Sequence, residues 1–336
     1  MKKNIINITL GIALSVLFIY LAVRGIDFSD LAKSFQSANY LYIFPVVLLV
    51  LLSHVLRCYR WGVIMESLVK YDPKTLFIIS SIGFMATGML PARLGEFARP
   101  YLVKQKSNIK MSSTMATIIV ERVFDMLSLM IFMFVIMLKI SLPPVIFKTG
   151  ITMLTISLTI LLILIFLAVK KEFSLNKIDL ILSKLPAGLA KPLEHLAHSF
   201  MEGLQILPDI KRTLYVSVLS IFIWVIIGIS PYILFFSFGF NLTVINAFAV
   251  MVIIVLGIML PAAPGFVGVY HYACVLGLTY FGIPKEAALS YAIVLHFLQM
   301  MPIIALGLLF LPFYRIPLPK FIQQEEAEIE KEGLGD

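Results

Sequence analysis

Two clusters of charged side chains sit inside otherwise apolar stretches, and these residues have the means to do chemistry. Arg93, Glu96 and Arg99 are spaced i, i+3, i+6, which stacks them on one face of a short helix. Glu121, Arg122 and Asp125 follow, with the two carboxylates at i, i+4 on a common face and Arg122 beside them. A charge at membrane depth is expensive and marks a substrate path or an internal partner. Two arginines can hold a phosphate bidentately while a glutamate fixes their rotamers. The spacing therefore predicts an anion site at Arg93 and Arg99, with Glu121 and Asp125 as their partners. A salt-bridge network that only staples the fold uses the same residues, and the sequence leaves both readings open.

The histidines carry less. His271, flanked by two tyrosines, lies just beyond a Pro-Gly break and joins the candidate substrate-binding residues. His296 and Gln299 share a helical face at i, i+3, and a histidine in such a place is usually a packing residue. His195 and His198 resemble a metal pair only superficially, with no third ligand near them in the chain. No metal and no cofactor is expected. His54, Arg57 and Arg60 fall at i, i+3, i+6 and read as side chains that snorkel to headgroups at the end of a span, or that touch a lipid phosphate.

The backbone that must position these groups is broken at two related places. Met89-Leu90-Pro91-Ala92-Arg93-Leu94-Gly95 interrupts one apolar segment, and Met259-Leu260-Pro261-Ala262-Ala263-Pro264-Gly265 interrupts another 170 residues later. Pro91, Gly95, Pro261, Pro264, Gly265 and Gly268 are the expected hinge residues, because a helix cannot pass through such sequences without losing hydrogen bonds. Within a bilayer such backbone is tolerated only under cover of protein or water. Matched breaks in two halves point to a transporter binding site.

The remaining sequence sets the surroundings. Hydrophobic residues make up 60% of the 336 and charged residues 14%, against about 25% in soluble domains. This is an all-α integral membrane protein by composition. Cys58 and Cys274 make no disulfide framework or metal cluster. Nine apolar runs are present, and Leu76–Leu90, Ala247–Leu260 and Phe266–Phe281 are short against the roughly 20 residues a span needs. The first, Ile5–Val23, follows Lys2 and Lys3 without a small-residue cleavage site and reads as a retained anchor.

Charge then fixes a topology. With Leu76–Val103 and Ala247–Phe281 as re-entrant hairpins, 21 of the 27 Lys and Arg fall on the cytoplasmic side, five outside, and Arg122 within a span. The expected architecture is about six full transmembrane helices plus two oppositely oriented re-entrant hairpins in an inverted repeat. Repeat 1 covers about 41–138 and repeat 2 about 213–311, with both termini cytoplasmic in a cell inner (plasma) membrane. Between them, 172–212 holds an amphipathic segment with Leu189, Leu193, Leu196, Phe200 and Leu204 on one face, suited to the inner leaflet. The transmembrane domain spans 1–315, and 316–336 is an acidic cytoplasmic tail.

Three motifs in order carry a resemblance: Met89–Gly95 with Glu96 and Arg99, then Glu121-Arg122-Val123-Phe124-Asp125, then Pro264-Gly265-Phe266-Val267-Gly268. Together they resemble the flippase-like family, the transmembrane region shared with lysylphosphatidylglycerol synthases. Where many members read Pro-Gly-Gly with an acidic residue following, this chain has Gly265-Phe266-Val267-Gly268 and His271. The resemblance implies movement of phospholipids or polyprenyl-phosphate-linked lipids between leaflets. No stretch resembles the synthases' aminoacyltransferase domain, so lysine transfer is not expected. A second copy of the chain and a separate lipid-modifying enzyme are further candidate partners; nucleic acid is not. No Gly-x-x-x-x-Gly-Lys-[Ser/Thr] loop is present, so ATP hydrolysis is not expected either. Two other readings remain: an integral membrane enzyme acting on a lipid phosphate, and an ion or small-solute transporter.

Overall fold

A computed structural model describes residues 2–90, 95–107, 109–140, 144–259 and 263–314. Its described residues form α-helices joined by short turns. They are α1 (Lys2–Val23), α2 (Phe28–Ser37), α3 (Ile43–Met65), α4 (Pro73–Met89), α5 (Ala98–Lys106), α6 (Met111–Met137), α7 (Pro144–Val169), α8 (Lys171–Leu182), α9 (Ala187–Gly203), α10 (Ile210–Ser237), α11 (Val244–Ile258), α12 (Val269–Tyr280) and α13 (Lys285–Phe310). Among the described residues, four stretches are long and apolar enough to cross a membrane: Tyr40–Met65, Phe147–Val169, Ile210–Ser237 and Lys285–Phe310. Helix α6 is as long, at 27 residues, but carries Glu121, Arg122 and Asp125 near its middle.

The short helices end where local chemistry makes them end. Asp72 caps α4 by accepting the Thr75 N–H at 2.9 Å, and Pro73 opens its first turn, where the missing N–H is not needed. At the other end Leu90 is extended (φ −92°, ψ 144°), as expected of a residue that precedes a proline. Helix α11 starts in a reciprocal cap in which Thr243 and Asn246 each accept the other's backbone N–H. Helix α12 begins after Gly268, whose φ of +88° is open to glycine at little cost. A proline also lies inside α10 (Pro231) and inside α13 (Pro302), and neither divides its helix. Pro91, Arg93 and Pro261 lie outside the described residues.

Packing relates the two halves. Helix α3 packs on α10, α4 on α13, and α11 on α6. Each short helix also packs on its own successor, α4 on α5 and α11 on α12. The α4–α13 contact depends on Gly307, because a Cβ there would lie 2.2 Å from the Met85 Cβ. The end of α4 reaches the turn Pro264–Phe266, and a Cβ on Gly265 would stand 3.6 Å from the Gly88 carbonyl oxygen. The described flanks of the two breaks thus touch.

Helices run beyond the apolar stretches of the sequence: α7 begins at Pro144, ahead of Ile151, and α3 is extended at its end. The apolar run Leu41–Leu56 is the core of a longer helix, and α3 continues to Met65. Its outer stripe, including Phe44, Leu48, Leu52, Val55 and Tyr59, is exposed, while Val50, Ser53, His54, Arg60 and Trp61 are buried. Arg60 is therefore not a headgroup anchor, and Trp61 beside it is buried as well. Their helix face turns toward the carboxylates of α6, which supply what a headgroup region would otherwise supply.

Helices α8 and α9 pack together, and α9 lies on α6, where Gly203 allows contact with the Ser113 backbone. Leu189, Leu193 and Leu196 remain exposed on α9, while Leu204 just beyond it is buried. This leaves an apolar stripe uncovered on an amphipathic element.

Candidate functional site

The centre of the site is a chain of ion pairs across three helices, joined by hydrogen bonds to a fourth. Arg60 on α3 donates through Nη1 to Asp125 Oδ1 at 2.6 Å and to Ser220 Oγ at 2.8 Å. Its Nη2 donates to Glu121 Oε1 at 2.9 Å. The other oxygen of Glu121 accepts from Arg99 Nη1 at 2.7 Å. Trp224 on α10 adds its indole N–H to Asp125 Oδ1 at 3.1 Å. Arg60 is 0% exposed and Glu121 likewise, so these charges are stable only as partners.

Arg99 is held on all sides. Its guanidinium lies 5.0 Å from the Trp61 ring centroid and 4.9 Å from that of Phe84, a cation–π arrangement on two rings. Trp61 is oriented by donating its N–H to Thr117 Oγ1 at 3.2 Å. Helix α4 approaches closely because position 83 is glycine: a Cβ there would lie 2.3 Å from Arg99 Cγ. Gly95 has a similar task, since its Cβ would fall 2.1 Å from the Ala86 carbonyl carbon and the Thr87 nitrogen. The anion role that spacing suggests for Arg99 meets a side chain only 2% exposed and already paired.

A cavity of about 260 Å³ opens beside this network. Arg57, Glu96, Arg122 and Asp125 are the charged residues of its wall. Arg122 reaches Asp125 Oδ2 at 3.4 Å and Glu96 Oε1 only at 3.9 Å, with its side chain 31% exposed. Arg57, half-buried, stands 5.6 Å from the Phe84 ring centroid and has no ion pair or hydrogen bond among the described residues. The Nε atoms of Arg57 and Arg122 are buried without a hydrogen-bond partner. Four arginines (57, 60, 99 and 122) face three carboxylates (Glu96, Glu121, Asp125), so the described cluster holds one positive charge in excess. The rest of the wall is mostly apolar, with Leu49, Leu129, Ile254 and Ile303 among its members, and comes from both halves of the chain. This is a setting for an anion carrying apolar chains.

The structure brings together Glu96, Glu121, Arg122 and Asp125 from the residues singled out by spacing, with Arg99 behind them. It adds Arg57 and Arg60, which the sequence places at the end of a span as headgroup anchors or lipid-phosphate contacts. Their helical phase matches that of His54, itself buried with Nε2 2.9 Å from Ser81 Oγ. That phase is the signal for an inward face. His271 is half-buried beside the cavity rather than on its wall: its Nδ1 accepts the Gly268 N–H at 3.3 Å, and its ring meets His296 at 4.8 Å. The hinge residues Gly265 and Gly268 both have positive φ, and Gly268 also sits against the Ser15 carbonyl oxygen of α1.

Away from the cavity, folding alters the reading of the histidine pair on α9. His195 Nδ1 lies 3.5 Å from Lys110 Nζ, whereas His198 Nε2 lies 3.2 Å from both oxygens of Asp179 on α8. Asp179, Glu194 and His198 offer ligand atoms within 4.8 Å of one another, on a partly exposed surface. The cluster thus takes Glu194 rather than His195 from α9 and gains Asp179 from the neighbouring helix.

Comparison with known proteins identifies relatives of the sequence. Residues 8–307 match the family model of the lysylphosphatidylglycerol synthase transmembrane region. A UPF0104 membrane protein of Methanocaldococcus jannaschii is 26% identical over 223 residues, covering 65% of this chain and 89% of that one. A UPF0104 membrane protein of Methanothermobacter thermautotrophicus is 20% identical over 327 residues, or 93% of this chain and 96% of its own. The glycosyltransferase AglD of Haloferax volcanii is 33% identical over 126 residues, only 37% of this chain and 20% of that protein. A match over nearly all of the helical bundle, including both charged clusters and both breaks, makes this chain a member of the lysylphosphatidylglycerol synthase transmembrane-region family.

Proposed function

We propose that this protein is a transporter that moves an anionic phospholipid or a lipid-linked phosphate between membrane leaflets. The observation that carries the reading is the cavity wall. Arg57 and Arg122 present guanidinium groups whose Nε atoms lack a hydrogen-bond partner among the described residues, next to a largely apolar surface built by both halves of the chain, although Arg122 is also ion-paired with Asp125. A phosphate would complete those donors and offset the excess positive charge, while the acyl or prenyl chains remain among apolar side chains. Arg60, Arg99, Glu121 and Asp125 form an ion-paired frame beside the two cations, in which Asp125 holds Arg122 while Arg57 stands by the Phe84 ring.

The architecture that suits this function has α4–α5 and α11–α12 as re-entrant hairpins of opposite orientation. Six full helices then surround them as an inverted repeat, both termini are cytoplasmic, and the setting is the plasma membrane. The reciprocal packing of α4 on α13 and α11 on α6 supports the repeat. The uncovered apolar stripe of α9 suits a position on the inner leaflet. In this reading the chain performs no chemistry of its own. The test is a leaflet-resolved assay of labelled lipids in vesicles holding the purified protein. Equilibration of labelled phosphatidylglycerol that depends on the protein supports the reading, and transport of ions without lipid refutes it.

A further inference from the structure

The charged part of the cavity wall comes entirely from the first half of the chain: Arg57 on α3, Glu96 just before α5, and Arg122 and Asp125 on α6. The second half adds polar groups of another kind. Ser230 on α10 is 2% exposed, lines the cavity, and its Oγ has no hydrogen-bond partner. Tyr270 on α12 donates its hydroxyl to Gln299 Oε1 on α13 at 2.9 Å. That leaves the tyrosine oxygen free to accept and the two Gln299 amide N–H groups without a partner among the described residues. The Tyr270 ring is fixed by the His296 ring, with centroids 4.4 Å apart. His296 is fixed in turn by donating Nε2–H to the Gly265 carbonyl at 2.8 Å.

This wall is rigid, uncharged, and offers donors and acceptors together. An ammonium headgroup would need a carboxylate, yet the two carboxylates of the cavity, Glu96 and Asp125, already face arginines. A hydroxyl both donates and accepts, so a polyol matches this surface and relieves the buried Ser230 oxygen of its missing partner. We propose that Ser230, Tyr270 and Gln299 form a subsite for an uncharged, hydroxyl-rich headgroup, glycerol or a sugar-like ring, attached to the phosphate that Arg57 and Arg122 hold. The inference rests on the lipid-transport reading above and narrows its substrate class.

The experiment follows labelled phosphatidylglycerol, phosphatidylinositol, phosphatidic acid and phosphatidylethanolamine separately in phosphatidylcholine vesicles holding the full chain. The wild type should move phosphatidylglycerol or phosphatidylinositol about tenfold faster than phosphatidylethanolamine. Whichever of the two leads identifies glycerol or a ring as the preferred polyol. Ser230→Ala, Tyr270→Phe and Gln299→Leu should each lower the ratio of polyol lipid to phosphatidic acid, by about tenfold for Gln299→Leu. Gln299→Glu should raise the ratio of phosphatidylethanolamine to phosphatidylglycerol, a gain that misfolding cannot produce. Phosphatidylethanolamine keeping pace in the wild type, or variants that slow all lipids in equal proportion, would overturn the subsite. Failure of the wild type to move any labelled lipid would instead remove the transport reading beneath it.

Discussion

Arg60 and Asp125, separated by 65 residues of chain, meet at 2.6 Å in the interior of the helical bundle. Asp125 has further partners in Arg122 and Trp224, and Arg60 in Glu121 and Ser220. The pair therefore ties α3, α6 and α10 together. An arginine deleted here leaves two buried carboxylates facing Arg99 and Arg122 alone.

Arg60→Ala should destabilise the protein by about 3–5 kcal/mol, the cost of a buried charge that loses its partner. Asp125→Asn should cost less, because an amide still accepts from Trp224 and Arg60. Unfolding of the purified variants in detergent measures both. If Glu121 and Asp125 are scaffold, Glu121→Gln should lower stability or lipid binding at every pH. A folded Glu121→Gln protein that still transports, but without the wild-type pH dependence, would instead make this carboxylate a proton carrier.

Arg57→Ala should slow lipid transport by about tenfold or more while leaving the fold intact, since among the described residues the side chain makes no ion pair or hydrogen bond and stands only by the Phe84 ring. Arg57→Lys should recover only part of the rate, because an ammonium cannot present two parallel N–H groups. Arg122→Ala should slow transport as well, with an added loss of stability from its bond to Asp125. The leaflet assay and thermal unfolding, run side by side, separate these effects. Full-rate transport by folded Arg57→Ala would exclude this arginine from the site.

Gly95→Ala should destabilise the α4–α5 junction by about 1–3 kcal/mol, because the new methyl meets backbone rather than a side chain that can move aside. Gly188→Ala is the matched control: its added Cβ finds nothing within 4 Å. Its stability should change by less than about 0.5 kcal/mol, or rise slightly from the gain in helix propensity. Melting temperatures of the two variants test the contrast.

Asp72 supplies a pH-linked contribution at the start of α4. Hydrogen bonds from the Thr75 side chain and backbone hold its carboxyl below the ordinary carboxylate range. A carboxylate favoured in the folded state adds stability above its unfolded pKa and loses it as pH falls through the folded one. Asp72→Asn should therefore be less stable than wild type at neutral pH, with the difference closing in acid. Unfolding curves at neutral pH and below the carboxylate range measure the closure. A difference that stays constant with pH would show that the cap acts through its geometry alone.

The sequence by itself determined the local features. Glu121, Arg122 and Asp125 share a helix, so their spacing alone puts the two carboxylates on one face with the arginine within reach of Asp125. Leu90 leaves the helix because a proline follows it, and Gly268 takes a positive φ because it lacks a Cβ. Membrane character is equally legible, being a sum over side chains that needs no partner. The tertiary structure decided which arginine serves which carboxylate. Arg57 and Arg60 occupy a spacing that fits a headgroup anchor as well as a buried partner, and only the docking of α3 against α6 and α10 separates the two. The spacing pairs Arg99 with the carboxylates of α6, and only the packed structure selects Glu121 and closes Trp61 and Phe84 around the guanidinium. Asp179 joins His198 only because α8 and α9 pack together. Periodicity records which face of a helix a residue occupies, whereas ion pairs formed across 65 residues depend on helix docking that no local pattern contains.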